Sequence, residues 1–178
     1  KKSIGSDDSM ARVLTPMGKE MSMIMPYAMQ PGDNSSSLIL GLTNTRKLNQ
    51  DITWANQLKR KVVVSESSWA FGDQTEFNSW IQYPFSKQVS VSSRLKVIDQ
   101  DALSGMNPSI MAPVQTANPK NYGGTEVFLG LGMNLNLNSF LGSNDSIGIE
   151  ILKPVNQNKN NLQMKTDYQV IIGYQKSF

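Results

Sequence analysis

Residues 162–178 alternate between apolar and polar side chains with a period of two. Side chains at the odd positions are mostly polar, whereas the even positions are mostly apolar and include Tyr168, Val170, Ile172, Tyr174 and Phe178. A period of two is the pattern of a β-strand with one apolar face and one wet face. The pattern therefore predicts a two-faced strand from Leu162 to Phe178.

Six earlier segments show the same alternation and are also predicted to be strands. The longest clean segment alternates leucines, Val127 and Met133 with glycines and polar residues. Trp80 is an exception, because it falls on the polar face of its segment. The six predicted strands cover residues 37–45, 51–64, 71–83, 89–97, 126–137 and 147–151. The resulting fold class is all-β and antiparallel, with about seven strands.

The length of the last segment suits a membrane. Tyr168 and Phe178 are ten residues apart, which at ~3.3 Å per residue and a tilt of roughly 40° spans about 25 Å. This is the height of the apolar band of an outer-membrane barrel, whose edges carry aromatic girdles. We therefore predict a transmembrane β-barrel in which Tyr168, Tyr174 and Phe178 lie at the membrane interfaces.

The composition removes several classes of function. The 178 residues include no cysteine and no histidine, which excludes disulfides, thiolate chemistry and the commonest general base. The formal charge of +3 comes from scattered lysines and arginines, so no basic patch points to nucleic acid. The sequence has no run of 18 apolar residues, so it predicts no transmembrane helix. We predict neither enzymatic activity nor nucleic-acid binding.

The connections between the predicted strands fall into two sets. Barrels of the bacterial outer membrane have short periplasmic turns and long outer loops. The periplasmic set is predicted at 46–50, 84–87 and 138–145, and the outer set at 65–68, 99–124 and 155–161.

Seven strands are an odd number, whereas single-chain bacterial barrels have an even number. We therefore expect residues 37–178 to be the C-terminal strands of a larger barrel. Residues 1–36 are expected to be a long outer loop or irregular segment with at most one short strand.

Several stretches of this sequence resemble a known family. The stretches are SIGSDD near the start, WAFGDQTEFNSW, the loop TANPKNYGG and the ending DYQVIIGYQKSF. They are similar to outer-membrane proteins assigned as transporters of the meta-pathway of phenol degradation, and the similarity extends along essentially the whole chain. The resemblance implies a barrel with a signal peptide and further strands before the segment equivalent to Ser3. It also implies uptake of aromatic hydrocarbons, and it transfers no catalytic or binding residues.

The polar faces of the predicted strands carry charges of both signs. In a barrel these side chains would face the lumen, where they more often fill the interior as a structural zipper than form a selectivity constriction. The lumen-facing candidates are Lys59, Lys61, Glu76, Arg94, Lys96, Glu126, Glu150, Lys165 and Asp167.

Methionines are concentrated near the start of the chain. Thioether ligands suit Cu(I), but flexible apolar side chains that cover a loop or face lipid explain the cluster better when no His or Cys accompanies it. We therefore predict no metal site and no cofactor. The methionines concerned are Met10, Met17, Met21, Met23, Met25 and Met29.

Together these patterns predict a channel or transporter of the bacterial outer membrane for small solutes, hydrophobic and aromatic ones included, by passive diffusion through a charged lumen. The expected partners are outer-membrane lipid, a small solute and, through the final strand, the barrel-assembly machinery. One alternative is a structural or docking barrel that conducts nothing and anchors a surface assembly. Another is a secreted soluble β-sandwich, in which the alternating faces would be core and solvent.

Overall fold

A computed structural model describes residues 1–15, 17–110, 114–137 and 145–176. These residues form an all-β structure dominated by one curled antiparallel half-barrel sheet of seven strands. Within the same residues, no helix is long and apolar enough to cross a membrane. The predicted all-β antiparallel class and the count of seven main strands are thus confirmed.

Eleven strands occur in the described residues, of which the long ones belong to the main sheet. In chain order they are β1 (Met10–Leu14), β2 (Glu20–Ile24), β3 (Ser36–Lys47), β4 (Thr53–Ser65), β5 (Trp69–Ala70), β6 (Gln74–Pro84), β7 (Val89–Gln100), β8 (Ser104–Gly105), β9 (Gly124–Asn136), β10 (Ser146–Lys159) and β11 (Gln169–Gln175). Two 3₁₀ turns cover Tyr27–Met29 and Gln115–Ala117.

The main sheet is an up-and-down meander. Its order is β3, β4, β6, β7, β9, β10 and β11, so each strand pairs with the next long strand along the chain. The other two sheets are two-stranded, β1 with β2 and β5 with β8. In the described part of the chain the strands therefore do not divide into the two packed sheets of a β-sandwich, so the sandwich architecture of that alternative is wrong.

Strand β10 is longer than the sequence predicts. It continues to Lys159, through residues that the sequence assigns to a loop beginning at Val155. The reason is a β-bulge, since Pro154 pairs with Phe128 and Asn156 pairs with Val127, which leaves Val155 as the extra residue. A bulge interrupts the period of two although the strand itself continues.

The final strand is shorter than predicted, because β11 begins at Gln169 rather than at Leu162. In the preceding stretch the side-chain amide of Gln157 takes the place of a backbone partner. It accepts a hydrogen bond from the Thr166 N–H at 2.8 Å and donates one to the Thr166 carbonyl at 2.9 Å. The alternation of side chains therefore extends beyond the backbone ladder.

The first 36 residues contain more structure than the predicted irregular segment. Strands β1 and β2 form a hairpin in which Met10 pairs with Ile24 and Leu14 pairs with Glu20. Its turn is closed by the Thr15 N–H, which donates to the Lys19 carbonyl at 2.9 Å, and it includes Gly18 at a φ of 75°. Glycine suits that left-handed conformation.

The main sheet has two chemically different faces. The convex face is apolar and exposed, and every strand contributes to it, whereas side chains on the concave face are mostly half-buried or buried. One exposed convex residue from each strand shows the pattern: Leu42 (75%), Leu58 (51%), Ile81 (46%), Leu95 (37%), Leu131 (73%), Ile151 (53%) and Ile172 (72%).

The two ends of the sheet also differ. At one end lie short turns such as 48–52 and 85–88. The described residues of loops 66–73, 101–123 and 160–168 lie at the other end and, with those of residues 1–35, form a structure that we call the cap. Its apolar core contains Tyr27, Trp69 and Ile110, with Ile24, Phe71, Leu103, Ala117 and Tyr122 packed against them.

Both edge strands of the main sheet have an open side. Among the described residues, no further strand pairs with the outer edge of β3 or β11, apart from a single bridge between Lys2 and Ser36. The sheet is therefore a half-barrel, and these residues do not close it.

Candidate functional site: the charged concave face

The backbone register brings charged residues from five strands onto one face. Lys59 of β4 lies opposite Glu76 of β6, and Lys96 of β7 lies between Asn78 and Phe128. Successive side chains of a strand point to opposite faces, so the register fixes which residues share the concave side. Seven of the predicted lumen-facing residues occupy concave positions: Lys59, Lys61, Glu76, Arg94, Lys96, Glu126 and Glu150.

One ion pair of the concave face joins strands that are not neighbours. Arg94 of β7 donates from Nε to Glu150 Oε1 of β10 at 2.6 Å, across the intervening strand β9. The side chains are 29% and 15% exposed. Opposite Arg94 and Glu150, strand β9 carries Gly130 and Gly132.

These glycines leave the space that the ion pair crosses. A Cβ on Gly130 would lie 3.3 Å from Glu150 Oε1 and 3.2 Å from the Leu152 side chain. A Cβ on Gly132 would lie 2.6 Å from Ser92 Oγ. A side chain at Gly130 would therefore crowd both Glu150 and Leu152, whereas one at Gly132 would first displace the Ser92 hydroxyl.

Arg94 also explains the tryptophan on the polar face. Its guanidinium lies 5.1 Å from the centre of the Trp80 ring, which is cation–π geometry. An NH group of Arg94 additionally lies 3.4 Å from Asn78 Oδ1. Trp80 thus lies on the concave face because its ring packs against the Arg94 guanidinium.

The network continues from Asn78 to the far side of the sheet. Asn78 is 2% exposed and donates to Glu76 Oε1 at 2.8 Å. Glu76 in turn lies 3.1 Å from Lys59 Nζ. A connected polar chain therefore runs across the concave face from β4 through β6 and β7 to β10.

Two further cations lie nearer to the cap. Lys159 Nζ is 3.0 Å from Glu126 Oε1, an ion pair without hydrogen-bond geometry. Lys61 Nζ donates to the Phe71 carbonyl of the cap at 3.1 Å. The concave face is thereby attached to the cap at its β4 side.

The remaining predicted residues lie outside this network. Lys165 and Asp167 are exposed and precede β11, so no strand register assigns them to a face. Tyr168 is 68% exposed and also precedes β11. Tyr174 is 61% exposed and donates from Oη to Asp145 Oδ2 at 2.7 Å. Phe178 lies outside the described residues.

Four concave residues belong to this site although the sequence did not single them out as candidates. Trp80 and Asn78 contact Arg94, while Phe128 and Leu152 are fully buried on β9 and β10. The sequence signal for Trp80, Phe128 and Leu152 was that each is a large side chain on an otherwise polar face. This signal does not identify the residues that they contact.

The cap is held by aromatic rings and by a buried carboxylate. The rings of Tyr27 and Trp69 meet edge-to-face at 4.8 Å, and those of Trp69 and Phe71 at 5.4 Å. Asp33 accepts hydrogen bonds from the Phe71 N–H at 3.2 Å and from Ser35 Oγ at 2.8 Å. Burial by itself would raise the pKa of Asp33, but the hydrogen bonds from Ser35, Phe71 and Ser3 outweigh it and lower the pKa.

The described ranges contain no group of three or more His, Cys, Asp or Glu side chains that could hold a metal ion. The methionine-rich start forms the β1–β2 hairpin and adjacent turns, where Met10, Met17, Met21 and Met29 are exposed.

Comparison of the chain with family models, with curated proteins and with solved structures finds no match. The resemblance to the phenol-degradation transporters therefore stays a prediction. The class that the geometry itself defines is an all-β half-barrel with an apolar convex face and a charged concave face.

Proposed function

We propose that these strands are the C-terminal part of a transmembrane β-barrel of a bacterial outer membrane, and that the barrel is a passive channel for small solutes. The observation that carries the proposal is the exposed apolar surface on all seven strands of one sheet. Monomeric soluble proteins rarely expose apolar patches beyond a few hundred Å². Lipid contact explains such a surface without another protein.

The exposed convex side chains would gain free energy in an apolar phase. Transfer of a Leu or Ile side chain from water to an apolar phase is worth about 1.5–3 kcal/mol. For one convex residue on each of the seven strands, each 37–75% exposed, the sum scaled by the exposed fractions is about 6–12 kcal/mol. In water this surface would instead promote association, so a lipid environment is the simplest arrangement.

The concave face supports a wet interior. Its charges are connected by ion pairs and hydrogen bonds, and several are partly exposed, such as Lys59 at 40%. An interior that is polar beneath an apolar exterior is the arrangement of outer-membrane barrels. The family resemblance adds aromatic hydrocarbons to the proposed solutes, with outer-membrane lipid and the barrel-assembly machinery as partners.

The membrane part of the proposal can be tested on a single strand. Leu42 and Thr45 are both exposed on β3, but Leu42 is on the convex face and Thr45 is on the concave face. Leu42→Lys should reduce stable integration into membranes, because lysine on a lipid face costs up to about 2–4 kcal/mol at mid-depth. Thr45→Lys is the matched control and should integrate normally. Equal behaviour of the two variants, or release of the protein without detergent, would overturn the membrane assignment.

The channel part of the proposal needs a recording of current. Purified full-length protein in a planar bilayer should give steady conductance above the lipid background. The competing candidate, a non-conducting anchor, is favoured by the packed cap core at one end of the sheet. A well-folded barrel that remains silent would support the anchor and remove the channel.

A further inference from the structure

We infer that the channel prefers small anions and that Lys96 is the main source of this preference within these strands. The inference rests on the proposed function, because it assigns a class of solute to the concave face. It follows from the balance of charges on that face and from how each charge is paired.

The concave strand positions carry more basic than acidic side chains. Alternation along each strand, together with the register, assigns six basic and three acidic residues to this face. The acidic residues are Glu76, Glu126 and Glu150. The basic residues are Lys47, Lys59, Lys61, Arg94, Lys96 and Lys159.

Each acid already has a cation in contact. Glu150 is paired with Arg94, Glu126 with Lys159, and Glu76 with Lys59, at 2.6, 3.0 and 3.1 Å. No carboxylate of these strands is therefore left over to attract a second cation from solution.

The three remaining lysines have different surroundings. Lys61 donates to the cap and is attracted by the carboxylates of Asp33 and Asp73. Lys47 is exposed at the last residue of β3, at the short-turn end. Lys96 is half-buried within β7 and has only the Coulomb attraction of Glu76, which Lys59 already contacts. Among the described concave charges, Lys96 is thus the inner cation without a carboxylate of its own.

A surplus positive charge inside a barrel acts on every passing ion. Low-dielectric walls focus the field along the lumen and raise the local concentration of counter-ions. One unit charge at roughly 8 Å in water changes the local concentration of a univalent ion about twofold at low salt. Neutral solutes would pass without this bias.

The test is ion selectivity of the full-length protein in a planar bilayer under a KCl gradient. The wild-type reversal potential should indicate that chloride is more permeant than potassium. Lys96→Gln should lower the ratio of chloride to potassium permeability about fourfold, because loss of one charge roughly halves local chloride and doubles local potassium. Lys96→Glu changes the charge by two units and should lower the ratio about sixteenfold. Lys153→Gln is the matched control, since Lys153 is an exposed lysine on the convex face of β10, and it should leave the ratio unchanged.

The outcomes separate the two levels of the proposal. Conductance with a graded loss of chloride preference in the Lys96 variants supports the inference. Conductance without chloride preference, or with equal effects of Lys96→Gln and Lys153→Gln, overturns the inference and leaves the channel intact. A folded protein that gives no current overturns the channel itself and, with it, any selectivity.

Discussion

Replacing Arg94 with methionine should destabilise the sheet by about 2 kcal/mol. The variant loses the hydrogen-bonded ion pair with Glu150, for which ~1.5–3 kcal/mol is typical, and the cation–π contact with Trp80, about 0.5–1 kcal/mol. Methionine keeps an unbranched apolar side chain at this position. The estimate stays below the 3–5 kcal/mol typical of fully buried pairs, because Arg94 and Glu150 are 29% and 15% exposed.

The assay is urea unfolding of protein folded into phospholipid vesicles, followed by tryptophan fluorescence. Trp80 lies beside the substituted residue and should report the local change directly. A double-mutant cycle with Glu150→Gln isolates the pair, and we expect a coupling free energy of about 1 kcal/mol. The control is Arg12→Met with Glu20→Gln, a pair 4.0 Å apart whose side chains are 85% and 71% exposed. Its coupling should be close to zero.

A coupling below about 0.3 kcal/mol between Arg94 and Glu150 would refute the reasoning. The same holds if the variant with Arg94→Met lost no more stability than the variant with Arg12→Met. In either case Arg94 and Glu150 would lie close together across β9 without contributing to the free energy of unfolding.

Three further predictions concern Gly130, Trp69 and Asp33. Gly130→Val should cost about 1–3 kcal/mol in urea unfolding through overpacking against Leu152 and Glu150, whereas Gly173→Ala, with nothing within 4 Å of its Cβ, should cost far less. Trp69→Ala should expose the cap loops to limited proteolysis while the sheet persists, since removing a buried Trp costs about 3–5 kcal/mol; unchanged protection would contradict a cooperative cap core. Because the pKa of Asp33 is lowered from its ordinary 3.8, its carboxylate stabilises the cap fully above that pH, and the stabilisation is lost as the pH falls further. Asp33→Asn should therefore lose cap protection at neutral pH and show less change between pH 6 and pH 3 than the wild type.

The period of two was sufficient to predict the seven main strands and the face of most of their charges. It worked because the inner strands of the sheet have one exposed apolar face and one more buried polar face, so apolar and polar residue types alternate along them. It failed at β10, where the bulge at Val155 shifts the phase. It also failed before β11, where the alternation persists without a backbone ladder.

The period of two could not predict which residues contact one another in the charged concave face or in the cap. Arg94 and Glu150 are 56 residues apart and lie on strands that do not pair, so no local pattern joins them. The cap brings Tyr27 to Trp69 and to Tyr122, through loops whose composition indicates only irregular structure. Such contacts depend on the curvature of the sheet and the paths of the loops, which residue patterns do not encode.

The bulge in β10 has a consequence for changes in chain length. In a regular strand, deletion of one residue inverts every side chain on one side of the cut, which here would turn isoleucines of the convex face to the concave face. Val155 is already the extra residue between two matched pairs. Its removal would leave Gln157 opposite Glu126 and Lys159 opposite Gly124, as they are now. Strand β10 therefore has one position at which the chain can be shortened by a residue while every other side chain keeps its face.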